Sequence, residues 1–290
     1  MSSILLQTTI VPTPDDWSIA RFSRLRALLE GLRGADGEPL YAVTARDRAA
    51  PPGTSDPVLA SLDTSDFDQL WLFAVDVGDG INPEECGAIG RFRNRGGGLL
   101  VTRDHMDLGC SVCELGGVGR AHHFHSKNPS PDGSRRRIDD PFTPHILWPN
   151  YHSGANGDYQ EITPAGEIHP LLADPQAQGG VLRYLPAHPH EGEVSAPPDD
   201  PSARVIANGT SRVTGRQFAI AVAFEPQAGG AGPAVAGSTF HHFADYNWEP
   251  ELGAPSFVTE PPGRGLAKNP EARRSTERYV SNLALWLAGA

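Results

Sequence analysis

Gly96-Gly97-Gly98-Leu99-Leu100-Val101-Thr102-Arg103-Asp104-His105 is the stretch that decides the fold. A glycine turn opens a short apolar run, and the run ends abruptly on a cation, an acid and an imidazole. A buried strand with chemistry at its carboxyl end belongs to an open α/β sheet, where ligands bind at that end. Just upstream, Asn82-Pro83-Glu84-Glu85 reads as a helix start: Asn caps, Pro suits the first helical position, and acids suit the positive end. Cys86, Ile89 and Phe92 then share one face, and Gly96-Gly97-Gly98 stops that helix.

Further out the same alternation repeats. Phe67-Asp68-Gln69-Leu70-Trp71-Leu72-Phe73-Ala74-Val75 is an almost continuous apolar run, as expected of a strand buried on both faces of a parallel sheet. Ile4 to Val11 reads as a strand. Leu25, Leu28, Leu29 and Leu32 give one apolar helical face, and residues 40–44 a second strand. Downstream, residues 203–208 and 217–224 read as two strands joined by a turn, and residues 234–240 as the last strand. Asn269-Pro270-Glu271 opens a final helix that buries Tyr279, Val280, Leu283, Trp286 and Leu287. Strands alternating with helices predict an α/β fold: a flavodoxin-like, open, mostly parallel sheet with helices on both faces. Residues 106–200 carry Pro, Gly, His and Asp without clear periodicity. They are read as a loop-rich insertion over the functional edge of one domain spanning 1–290.

Composition bounds the function. The chain has 290 residues and a formal charge of -11, which argues against a nucleic-acid partner. The one dense basic run, Arg135-Arg136-Arg137, is followed at once by Asp139 and Asp140. No apolar run approaches the roughly 20 residues needed to span a bilayer, so no membrane role is expected. The first residues lack the basic segment and cleavage site of a signal peptide. Three cysteines, Cys86, Cys110 and Cys113, do not make a disulfide framework. A cytoplasmic protein with a small-molecule ligand is the expectation, with homo-oligomerisation left open.

Four segments together resemble the class I glutamine amidotransferase-like superfamily, and within it the trehalose-utilisation (ThuA-like) branch. They are Phe67 to Val75, Gly96 to His105, Glu167-Ile168-His169-Pro170-Leu171-Leu172, and Gly237 to His242 with the helix ending Asn282-Leu283-Ala284-Leu285-Trp286-Leu287-Ala288. Glutaminases of that fold carry a nucleophilic Cys on the elbow after the strand. Here Val101-Thr102-Arg103-Asp104-His105-Met106 has none. Nor does an acid follow His241 or His242 by two positions. Glutamine hydrolysis through a thioester is therefore not expected, whereas the ThuA-like branch also lacks that nucleophile. The resemblance implies a small polar substrate, carbohydrate-derived by analogy.

Within this frame Asp104 and His105 are candidate catalytic residues, as general base and acid or as ligands of a divalent cation such as zinc. The competing reading has Asp104 merely capping the next helix. Ser238-Thr239-Phe240-His241-His242-Phe243-Ala244-Asp245-Tyr246-Asn247 brings a second polar cluster to a strand end. If that segment stays extended, only one of the paired imidazoles faces the crevice. His242 and Asp245 are taken as catalytic candidates, His241 and Asn247 as ligand-binding ones. Arg103 could hold a carboxylate or phosphate, and Tyr151 belongs to a polar aromatic loop suited to a sugar-like ligand. His105, His123 and His242 are the metal-ligand candidates. Cys110, Cys113, His122 and His125 form a weak structural-zinc pattern, their central spacer being shorter than in a usual finger. His188-Pro189-His190 reads as solvated. Two functions follow: a hydrolase or acid–base enzyme using Asp and His, with or without a metal, or a binding module that kept the crevice without the chemistry.

Overall fold

The computed structural model describes residues 1–140, 143, 145–227 and 229–289. Its strands are β1 (Ser2–Thr8), β2 (Tyr41–Arg46), β3 (Gln69–Phe73), β4 (Gly98–Thr102), β5 (His122–His123), β6 (Tyr159–Glu161), β7 (Thr163–Pro164), β8 (Tyr184–Pro186), β9 (Glu193–Val194), β10 (Ala203–Thr210), β11 (Gln217–Phe224) and β12 (Ala234–Gly237). Its α-helices are α1 (Ser23–Gly31), α2 (Pro57–Ala60), α3 (Pro83–Asn94), α4 (Asp245–Trp248), α5 (Gly265–Lys268) and α6 (Pro270–Leu287).

Eight strands form one sheet in the order β2-β1-β3-β4-β12-β11-β10-β7. The pairs from β2 through β12 are parallel, and β11, β10 and β7 add an antiparallel flank. This is the expected α/β arrangement, an open and mostly parallel sheet. Side-chain alternation assigns its faces. Ile4, Leu6, Trp71, Phe73 and Leu100 pack with Leu25 and Leu29 of α1 and with Tyr279, Val280 and Leu283 of α6. Leu5, Leu70, Leu72, Leu99 and Val101 pack on the other side, with Ile89 and Phe92 of α3. Helices thus cover both faces.

Local chemistry sets the helix starts. Asn82 and Glu85 form a reciprocal capping box at α3, with Pro83 at its first position. Asn269 accepts from the amides of Glu271 and Ala272 at α6, again ahead of a proline. One glycine fixes how β4 meets α6: a Cβ on Gly98 would lie 2.2 Å from the Leu287 carbonyl oxygen.

The described residues of the 106–200 region carry more structure than their sequence pattern suggests. Two short antiparallel ribbons, β5 with β9 and β6 with β8, organise them. Phe124, Leu171, Leu172, Leu182 and Leu185 are buried. Non-local contacts rather than periodicity hold this region, which is why its sequence reads as loop. Among the described residues no helix is long and apolar enough to cross a membrane.

Candidate functional site

Parallel β4 and β12 are neighbours, with Thr102 opposite Gly237. The chain leaving each strand therefore emerges on the same edge. The β12 strand ends at Gly237, three residues before the expected end, and Phe240–His242 form a single 3-10 turn. The Thr239 hydroxyl accepts from the His241 amide to start that turn, and the Phe240 amide donates to the Arg103 carbonyl at 2.8 Å. After β4 the chain reverses tightly. Leu108 donates to the His105 carbonyl at 3.0 Å, and Met106 has a left-handed backbone, φ 48°. Such strain in a non-glycine residue is concentrated at functional sites.

These turns bring Asp104, His188 and His241 together, all buried, with one ligand atom of each within 4.8 Å of the others. His188 Nε2 lies 3.1 Å from Asp104 Oδ1, and His241 Nε2 lies 3.6 Å from Asp104 Oδ2. The two imidazole rings stack face to face, 3.6 Å between centroids. His105 Nε2 stands 3.7 Å from Asp104 Oδ2, and its Nδ1 has no partner.

Two asparagines decide which ring nitrogens carry protons. Asn247 Nδ2 donates to the Ala187 carbonyl at 2.9 Å, an oxygen that can only accept. Asn247 Oδ1 must then face His241, which donates from Nδ1 at 2.8 Å. The same Nδ2 donates to Asn156 Oδ1 at 2.8 Å, so His188 Nδ1, 3.0 Å from that oxygen, is also a donor. With Nδ1 protonated on both rings, a neutral imidazole presents its bare Nε2 to the carboxylate. Burial, then repulsion from His241, pushes the His188 pKa well below its ordinary value despite Asp104, so His188 is neutral. Burial pushes His105 down to about 4, again against the pull of Asp104. For Asp104 burial acts upward, but His105, His241 and His188 outweigh it and hold the carboxyl well below the usual range. At the 3.1 Å contact between neutral His188 Nε2 and Asp104 Oδ1, lone pair faces lone pair, an arrangement that a shared cation, whether a proton or a metal ion, resolves.

The remaining candidates fall elsewhere. His242 turns away from Asp104 and meets buried Glu191, Nε2 to Oε1 2.7 Å, with Gln160 donating to the same oxygen. Asp245 caps α1, accepting from the Ser23 amide and hydroxyl and from the Arg24 amide. Asn247 positions His241. Tyr151 is buried and stacked on Phe218, with ring centroids 4.4 Å apart. Arg103 is turned into the interior against Phe124. His123 bonds Ser195 and Asn128, away from the cluster. Cys110, Cys113, His122 and His125 are not drawn into a metal-holding group among the described residues, and the three cysteines are free. Burial pushes the Cys86 and Cys113 thiols up to about 12 and raises that of Cys110, so all three are poor nucleophiles.

Two readings of the sequence need correction. Asp104 is not a cap: its side chain meets imidazoles. His188 and His190 are not solvated but 3% and 5% exposed. His188 joins the cluster. His190 lies between Asp140 at 3.1 Å and Glu260 at 3.2 Å, its ring edge-on to His105 and to His188. The signal that could have found them is the density of ionisable residues in His188-Pro189-His190-Glu191-Gly192-Glu193, directly between apolar Leu185 and Val194.

No family model matches the chain, and no curated protein matches it. Solved structures similar to it include the glutaminase domain of Trypanosoma brucei CTPS with bound acivicin, at 13% identity and TM-score 0.49, covering 100% of this chain and 94% of that one. A ThuA-like protein from Parabacteroides merdae matches at 13% identity and TM-score 0.43, over 82% and 78% of the two chains. The mmIFT52 N-terminal domain matches at 13% identity and TM-score 0.42, over 83% and 88%.

Proposed function

We propose that Asp104, His188 and His241 hold a first-row divalent metal ion, zinc first among the candidates, and that the protein uses it for hydrolytic or acid–base chemistry on a small polar molecule. The observation that carries this reading is the pair of Asn-locked imidazoles whose bare Nε2 atoms converge on one carboxylate. Two His and one carboxylate are a common divalent-metal donor set. Ligands at about 2.0–2.2 Å from a tetrahedral ion stand roughly 3.3 Å apart. Asp104 offers a different oxygen to each ring, Oδ1 at 3.1 Å to His188 and Oδ2 at 3.6 Å to His241, and with the two rings stacked 11° apart a bound ion would require one of them to tilt. Asn156 and Asn247 supply the outer hydrogen bonds that fix ligand orientation in such centres.

The ion's contribution would be to acidify a bound water. His105, with Nε2 3.7 Å from Asp104 Oδ2 and Nδ1 without a partner, would be the group to take that proton. His105 would hold that proton and return it to the departing group as the bond to that group breaks. A thioester route has no support, because the elbow offers Arg103 and Asp104 in place of a thiol.

The test is metal content by elemental mass spectrometry, with turnover on a panel of esters, amides, phosphomonoesters and glycosides. About one ion per chain is expected, lost in His188→Ala and His241→Ala. Protein that holds no ion and takes up none of zinc, cobalt, manganese or iron(II) would sink the reading. A second reading, a closed structural metal site with His105 as fourth ligand, is favoured by the burial of the cluster. His105→Ala separates the two: retained metal with lost turnover marks a base, and lost metal marks a ligand.

A further inference from the structure

We propose that Arg103 and His122 enclose a second site, for a small monovalent anion of halide size, separate from the Asp104 cluster. Arg103 and His122 are both 0% exposed. The guanidinium carbon lies 4.1 Å from the centroid of Phe124, and Phe124 belongs to the apolar cluster on the α3 side of the sheet. One guanidinium contact is made: Nη2 donates to the Met106 carbonyl at 2.6 Å. Nε and Nη1 have no partner, and neither do the two ring nitrogens of His122.

The donor count is unbalanced. A guanidinium brings five N–H groups and no acceptor, and a neutral imidazole one donor and one acceptor. Burial, then the nearby Arg103 charge, keeps His122 neutral. The acids whose charge reaches Arg103 are engaged elsewhere. Asp104 faces His188, Asp107 accepts from the Ser126 amide and hydroxyl, and Glu193 pairs with Arg135 at 2.7 Å. Burial raises the pKa of the Cys110 and Cys113 thiols, which stay protonated. Buried N–H groups left without acceptors are costly, so the surplus of unpartnered donors at Nε, Nη1 and His122 selects an anion. Gly192 lets the guanidinium lie against the backbone: a Cβ there would collide with Arg103 Nη1. Because β5 pairs with β9, His122 lies opposite Val194, two residues beyond that glycine. With every wall buried, an organic acid has no entry, and one positive charge matches one negative.

The test is thermal unfolding of the intact protein at constant ionic strength, with sodium gluconate replaced stepwise by sodium chloride or bromide. Gluconate is too large for the enclosure. A ligand that binds only the folded state raises Tm with the logarithm of its concentration. The expected result is that rise in wild type and a flat response in His122→Phe, which keeps the ring volume. Metal content should be unchanged across the salt series, which keeps this outcome distinct from that of the Asp104 cluster. Crystals grown in bromide should show an anomalous peak within hydrogen-bond reach of Arg103 Nη1. A halide-independent Tm overturns the proposal. So does a Tm rise without bromide at Arg103, or water in that density. If His122→Phe does not fold, the wild-type series and the bromide crystal decide.

Discussion

Asn247→Ala tests the logic of the cluster without touching a ligand. It removes the oxygen that fixes His241 Nδ1–H at 2.8 Å and the donor that serves Asn156 at 2.8 Å and Ala187 at 2.9 Å. The His241 ring is then free to rotate or to move its proton onto Nε2, and either change withdraws a lone pair from the metal position. Loss of an outer-shell partner costs ten- to a hundred-fold in metal affinity, about 1.4–2.7 kcal/mol. Folding stability falls as well. Asn247 is fully buried, and its loss strands the Ala187 carbonyl and the His241 N–H. At ~1–3 kcal/mol for each of the two stranded groups, the loss is about 2–6 kcal/mol. Zinc affinity would be measured at pH 7 by competition with a chromogenic chelator, on protein shown to be folded by circular dichroism, and stability by urea unfolding. Affinity within twofold of wild type alongside a clear loss of stability would refute the reasoning. Asn247 would then be a packing residue, and the protonation of His241 would not be set from outside.

Asp245→Ala should cost about 1–2 kcal/mol in urea unfolding, because it uncaps α1, yet leave metal content intact; metal loss in that variant would return Asp245 to the site. Asp56 accepts a bidentate pair from Arg46 at 2.7 and 2.8 Å and a further bond from the Ala49 amide. Burial acts upward on it, but those partners prevail and lower its pKa from 3.8 to about 2. The folded value is depressed, so its stabilisation is complete above 3.8 and disappears as pH falls through 2. Asp56→Asn should therefore lose about 1–2 kcal/mol at pH 7, allowing for the partial exposure of Arg46, and progressively less below pH 3.8. Urea unfolding at pH 7 and pH 2.5 would check it, and an equal loss at both would contradict the assignment. Glu85→Ala removes the partner of buried Arg48, 2.6 Å away, together with half of the α3 capping box. A loss of about 3–5 kcal/mol is expected, read as a lower urea midpoint at unchanged slope.

The parallel core was legible because its signals are local. Gly98–Thr102 and Gln69–Phe73 are contiguous apolar runs, and proline and asparagine mark the starts of α3 and α6. The end of β12 was less so: Ser238 to His242 reads as extended, but the Thr239 hydroxyl closes a 3-10 turn there. That turn, not strand alternation, sends His241 to Asp104 and His242 to Glu191. Asp104, His105 and His241 stood out as polar residues at strand ends. His188 did not, because it is 84 positions from Asp104 and sits in a stretch without a helical or strand period.

The sequence by itself determined the layered frame and the edge of the sheet that carries polar chemistry. Both follow from hydrophobic period and helix capping, which act over a few residues. Tertiary structure alone decided which side chains meet Asp104. Asn156 and His188 come from the region between β4 and β10, while Asp104, His241 and Asn247 follow β4 and β12. Their convergence depends on β5 pairing with β9, β6 with β8, and the neighbouring placement of β4 and β12 in the sheet. The tertiary structure also decided that the Nδ1 of each of two imidazoles faces an asparagine oxygen. That arrangement is fixed by a backbone carbonyl at Ala187, an atom every residue carries and no sequence pattern distinguishes.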